Sequence, residues 1–272
     1  MANPTFESKP IEHRGRTFDI SYFIRPGEGP TIVYFHGLGN TKEDFLDAKK
    51  VAALKDFTLL GLDAPGCGAS SPYYPEVPLG IDDLVEVTFK LVTALGLQNL
   101  TLIGQSFGGL IALQFACRYG DLVSSFVNIE GNISPEDCDI QSRDVFRQRF
   151  LGDEDRFFQE LHQRLATCGK PAFDEFAETF RQNIADRAYF DYCRSIVDYS
   201  DGYPLFDQFT GLPFPKLFIH GELSQLSYLP RLVEAGVSVV SVPDSDHFPS
   251  VSNPPFFYDA VSRFVHGQPA GA

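Results

Sequence analysis

The chain has 272 residues, 43% of them hydrophobic and 21% charged, with a formal net charge of −14. This is the composition of an ordinary globular protein. Its acidity argues against a nucleic-acid partner, which needs basic surface for phosphate, and no apolar run approaches the roughly 20 residues of a membrane span. The elements then follow in chain order. Thr17–Ile24 alternates in polarity and reads as an antiparallel edge strand. Compact apolar runs follow at Thr31–Phe35, Thr58–Leu62, Leu100–Gly104, Ser125–Ile129, Leu217–His220 and Val237–Ser241. Their near-continuous hydrophobicity suits strands buried on both faces of a parallel sheet. Asp82–Leu95, Leu110–Tyr119 and Phe256–Val265 carry apolar residues three and four apart, the spacing of helices packed on one side. Gly96 stands where the first of these should stop. Alternating strands and helices imply a doubly wound α/β sheet.

The alternation lapses between residues 133 and 212. There the chain has no good strand run. It has helical stretches rich in charge and phenylalanine: Phe146, Phe150, Phe157, Phe158, Phe173, Phe176, Phe180 and Phe190. Joints at Ser134-Pro135 and Leu212–Pro215 bound it. The expected organisation is a core of residues 1–132 and 213–272, with 133–212 inserted as a helical unit.

Five cysteines, Cys67, Cys117, Cys138, Cys168 and Cys193, are odd in number and form no Cys-x-x-Cys pair. Reduced thiols in a cytoplasm are therefore expected, with neither a disulfide framework nor a cysteine zinc site. The N-terminal MANPTFESKPIEHRG has no apolar signal core.

Gly104-Gln105-Ser106-Phe107-Gly108 fits G-x-S-x-G, directly after a strand and before a helix. The pattern places a serine on a turn so tight that its neighbours two away must be nearly free of side chain. The helix N-terminus beside it favours a developing anion. An idle serine in a glycine-rich turn would share the five letters, so the reading needs a base. Of six histidines, His13, His162 and His266 fall in surface or terminal contexts, and His36 and His220 end strands before glycine. His247, in Asp244-Ser245-Asp246-His247-Phe248-Pro249, sits in the loop after the last strand, at the sheet edge where catalytic groups gather.

With His36-Gly37-Leu38-Gly39, Asp63–Ser70, Gly104–Gly109, Asp246–Pro249 and Asn253-Pro254 in this order at successive strand ends, the chain resembles the α/β-hydrolase-fold enzymes along essentially its whole length. The resemblance implies an α/β-hydrolase fold with a helical cap. It further implies Ser106 as nucleophile, His247 as base, and an oxyanion hole from the backbone N–H groups of Leu38 and Phe107. No metal and no cofactor are implied, and His36 and the Asp63–Ser70 loop are expected to be structural.

The orienting acid departs from the pattern. The family sequence Gly-x-x-Asp falls on Gly221-Glu222-Leu223-Ser224, leaving Ser224 where the acid is expected. A serine cannot supply the negative charge that stabilises an imidazolium. Three carboxylates remain open: Glu130 at the end of the preceding strand is placed first, Glu222 second and Asp246 third. The resulting expectation is a Ser-His-Glu carboxylic-ester hydrolase, with thioester and lactone hydrolysis kept open, on a small-molecule substrate bearing an apolar acyl or aromatic part. Two alternatives are a C–C bond hydrolase of a β-diketone-like substrate using the same residues, and a non-catalytic binding protein on a hydrolase scaffold. Neither a nucleic acid nor a membrane is expected as a partner, and the sequence is silent on oligomeric state.

Overall fold

The structure, a computed structural model, describes residues 2–70, 72–138, 142, 143, 145, 156, 159–161, 163, 167 and 171–269, the side chains of 171–175 excepted. Eight strands form one sheet: β1 (Thr5–His13), β2 (Arg16–Arg25), β3 (Thr31–Phe35), β4 (Thr58–Leu62), β5 (Leu100–Gln105), β6 (Val123–Ile129), β7 (Lys216–Gly221) and β8 (Ser238–Val242). Their spatial order is β1-β2-β4-β3-β5-β6-β7-β8. β1 and β2 run antiparallel to each other and β2 to β4, and all other pairs are parallel. Thr17–Ile24 is therefore antiparallel as expected but is not the edge. β1 covers it, and its sequence gives no strand signal because Glu7, Lys9 and Glu12 break up its apolar residues.

The unbroken apolar runs reflect two buried faces. Alternation turns Ile32, Tyr34, Leu59, Ile103, Val127, Leu217 and Ile219 to one side, where they pack with Phe257 and Val261. Val33, Leu60, Leu102, Phe126 and Phe218 turn to the other, against Leu84 and Leu110. The helices holding these partners are α1 (Ile81–Ala94), α2 (Phe107–Arg118) and, at the C-terminal end, Pro254–Val265. Gly96, at φ +69°, ends the first helical stretch as expected.

Between β6 and β7 the described residues include α3 (Pro171–Asn183), α4 (Asp186–Gly202) and α5 (Leu205–Gly211). Ile184, between α3 and α4, forms an isolated antiparallel β-bridge to Cys67. Tyr192 Oη donates to Pro65 O at 2.6 Å, Tyr73 Oη to Asp191 Oδ2 at 2.9 Å, and Ile81 N to Ser195 Oγ at 2.9 Å, so α4 is tied to the loops after β4 and before α1. Phe176, Phe180 and Phe190 are buried, while Phe146, Phe150, Phe157, Phe158, the side chain of Phe173, Cys168 and His162 lie outside what is described. β7 leads to α6 (Leu229–Glu234), and β8 to α7 (Pro249–Ser252) and α8 (Pro254–Val265). Among the described residues no helix is long and apolar enough to cross a membrane.

Candidate active site

Ser106 stands at the C-terminal end of β5, immediately before α2, with φ 52° and ψ −120°. Such a left-handed conformation is costly for a residue with a Cβ and persists only where its surroundings impose it. Here the imposing groups are backbone: Ser106 N–H donates to Ile129 O at 2.9 Å. A Cβ on Gly104 would lie 2.5 Å from Gly108 O, and one on Gly108 would lie 2.1 Å from Phe35 O. The flanking glycines thus let α2 close onto β5 and β3, and the turn throws the serine side chain out of the sheet. Phe107 opens α2. As the first helical residue, its N–H has no carbonyl one turn back.

His247 lies in the loop between β8 and α7. Its ring meets Phe248 edge-on at 5.3 Å between centroids, and its backbone carbonyl accepts from Gln105 Nε2 at 3.2 Å. Nδ1 lies 2.8 Å from Glu130 Oε2. Glu130 follows β6 with φ 44°, its N–H donating to Ile219 O at 3.1 Å. Its other oxygen, Oε1, accepts Gly221 N–H at 2.8 Å. Burial works to raise the Glu130 carboxyl, but the hydrogen bond and charge of His247, the Ser224 hydroxyl and the Gly221 N–H outweigh it and hold the group below its ordinary value. An ionised carboxylate only accepts, so His247 carries its proton on Nδ1 and Nε2 is the basic nitrogen.

Of the three carboxylates left open by the sequence, only Glu130 meets the imidazole. Glu222 turns back to accept Asp244 N–H at 3.2 Å, and Asp246 caps its own loop by accepting Phe248 N–H at 3.2 Å. Ser224, standing where the family acid is expected, bonds to Glu130 instead.

Ser106, His247, Leu38 and Phe107 line one cavity of about 70 Å³, together with Asn40 and Gln105 from the core and Asp137, Phe176 and Ile196 from between β6 and β7. The loop carrying Leu38 is braced below. His36 Nε2 accepts Ala64 N–H at 3.1 Å while Nδ1 donates to Gly37 O at 2.8 Å, and burial lowers its basicity, which keeps the ring neutral. Lys42 Nζ and Asp63 Oδ2 form a buried ion pair at 2.7 Å, and Asp63 also accepts the N–H groups of Lys42 and Ala69. His36 and the loop opened by Asp63 therefore hold structure, and Cys67 beside them is buried and its thiol pushed well up by burial.

Several cavity residues escaped the sequence reading. Asp137 accepts Ile133 N–H and Ser134 N–H at 2.8 Å and Tyr228 Oη–H at 2.9 Å. Ser134 with Asp137 three residues on is a helix-start signal, which marks a cap and hides the cavity role. Asn40 and Gln105 have no such signal.

A family model described as alpha/beta hydrolase fold matches residues 30–254. The chain belongs to that family. The α/β hydrolase shares 25% identity over 255 residues with the 2-(acetamidomethylene)succinate hydrolase of Mesorhizobium japonicum, covering 88% of this chain and 89% of that protein. With an uncharacterized protein of Mycobacterium tuberculosis it shares 26% over 147 residues, 54% of this chain and 40% of that one, so the match spans about two fifths of that relative. The solved structure of a thermophilic esterase from Thermogutta terrifontis superposes with a TM-score of 0.76 at 16% identity, covering 96% of this chain and 98% of that one. These likenesses place the protein among hydrolase folds.

Proposed function

We propose that this α/β hydrolase cleaves a carboxylic ester through an acyl-enzyme on Ser106, with thioesters and lactones as chemically adjacent substrates. The observation that carries the proposal is the pairing of His247 Nδ1 with the buried, ionised Glu130 at 2.8 Å, with His247 itself lining the cavity that Ser106 lines. Within it Ser106 attacks the ester carbonyl and His247 Nε2 takes the hydroxyl proton. Glu130 holds the tautomer and stabilises the imidazolium. The N–H groups of Leu38 and Phe107 receive the oxyanion, preorganised donors of the kind that contribute several kcal/mol in acyl transfer. His247 then returns its proton to the leaving alcohol and activates water against the acyl-enzyme.

The segment 133–212 serves as a cap in this reading, since it contributes Asp137, Ser142, Phe176 and Ile196 to the cavity wall. Phe176 stacks on Phe180 at 5.6 Å and tilts against Phe248 at 5.6 Å, closing the apolar side. Such a wall suits a small substrate with an apolar part.

A fluorophosphonate probe tests the nucleophile. Labelling of the native protein and its loss in Ser106→Ala, together with a fall of about 10⁴-fold or more in turnover of a short p-nitrophenyl ester, is the expected result. Undiminished turnover in Ser106→Ala would overturn the mechanism, and absence of labelling would favour a non-catalytic binding protein.

A further inference from the structure

Two cavities meet beside the nucleophile. The first, of about 70 Å³, has Ser106 and His247 on its wall. The second, of about 80 Å³, is lined from the segment after β3, from α3 and from α7. Asn40, Phe176 and Phe248 line both, so these three residues make up the wall between them. Phe176 is the member that α3 contributes, and its ring is held from several sides. It stacks on Phe180 and tilts against Phe248, the residue after His247, with centroids 5.6 Å apart in each pair. A Cβ on Gly39, the residue after Leu38, would stand 3.1 Å from the Phe176 ring, so the ring lies directly on the backbone of that loop. Asn183 Nδ2 donates to Gly39 O at 3.2 Å and ties the end of α3 to the same place. Phe176 is left 7% exposed, and a side chain packed this closely does not yield space freely.

Size gives this wall a consequence. A cavity of about 150 Å³ takes up one benzene, and the first cavity has less than half of that. It holds a group of a few heavy atoms attached to a carbonyl over Ser106. A longer chain directed at the shared wall meets the Phe176 ring, and room resumes only beyond it, in the second cavity. Pressing further methylenes against a packed ring is unfavourable, whereas removing the ring would join the two spaces.

We infer that Phe176 is the specificity-determining residue of this site: its ring partitions the two cavities and restricts the protein to esters with a short chain on the side that faces it. This rests on Ser106 being the nucleophile, as proposed above. Asn40 and Phe248, the other parts of the partition, belong to the loops that carry Leu38 and His247. Phe176 stands outside both loops, so the limit on chain length is set by a residue that takes no part in the chemistry.

Two ester series test the partition. In one the acyl group lengthens, from ethyl acetate through ethyl butanoate to ethyl hexanoate; in the other the alcohol lengthens, from ethyl acetate through butyl acetate to hexyl acetate. Each rate, followed by acid release, is divided by the same ester's rate with hydroxide to remove intrinsic reactivity. In the native protein kcat/KM is expected to fall by about tenfold or more along one series, and that series identifies the chain facing Phe176. In Phe176→Ala the ratio of longest to shortest ester in that series should rise by about tenfold, with fluorophosphonate labelling of Ser106 retained. If Phe176→Ala does not fold, Phe176→Leu should raise the same ratio, by a smaller factor. The ratio separates the partition from a propping role, since a ring that only supported the Gly39 loop would change every ester alike. Rates independent of length in both native series, a ratio unchanged in the Phe176 variants, or an equal loss on all esters would overturn the partition and leave the serine mechanism standing. Absence of both labelling and turnover in the native protein would overturn the mechanism, and the partition with it.

Discussion

His247 Nδ1 and Glu130 Oε2 meet at 2.8 Å although 117 residues separate them in the chain. Neither is in regular secondary structure. One stands just past β6, the other in the loop past β8, and the parallel order β6-β7-β8 brings both strand ends to the same edge of the sheet.

That contact separates two glutamates experimentally. Glu130→Gln offers His247 an amide that can donate as well as accept, so the imidazole loses its fixed tautomer. The expected cost is on the order of 10²–10⁴ in kcat with KM changed far less. Glu222→Gln, whose carboxylate faces Asp244 N–H, should stay within about twofold. Steady-state kinetics on one ester decides between them.

The same carboxyl leaves a mark on stability. Its value is lowered in the folded protein, so it contributes stability above the ordinary glutamate value of about 4.3 and loses it as pH falls through the folded value. The melting temperature of the native protein should exceed that of Glu130→Gln most clearly above about pH 5, and the gap should narrow below about pH 4. A gap constant from pH 3 to 8 would contradict the ionised pairing.

Ser106 is strained at φ 52° and ψ −120°. Strain of this kind costs of order 1–3 kcal/mol, and glycine, which tolerates the conformation, returns up to about 1 kcal/mol of that in unfolded-state entropy. Ser106→Gly should therefore be inactive yet melt higher by about 2 °C or more. Differential scanning calorimetry measures the shift.

Asp137 is raised to about 6, since burial outweighs the donors from Ile133, Tyr228 and Ser134. Its charge thus appears on the cavity wall as pH rises through that value. The kcat/KM of monopropyl malonate relative to propyl propionate should fall several-fold from pH 5 to pH 8. Asp137→Asn should flatten that dependence, and an unchanged slope in the variant would remove Asp137 as its origin.

Much of this protein is legible before folding, because its signals are local. A strand buried on both faces must be apolar throughout, and Thr31–Phe35 and Thr58–Leu62 are bounded in the structure as the hydrophobic runs bound them. The serine turn must have glycine two residues to either side, because backbone lies within 2.5 Å of any added Cβ. β1 escaped because its charged residues mask the pattern of an edge strand.

The sequence by itself determined the strand–helix alternation, the tight turn at Ser106 and the choice among a few carboxylates, all of which follow from composition and spacing along the chain. Only the tertiary structure decided which carboxylate touches His247, that Ser224 supports Glu130, and that Asn40, Gln105 and Asp137 face the serine's cavity. Those are relations across the sheet edge between loops remote in sequence, and hydrogen-bond geometry within 3 Å has no image in one dimension.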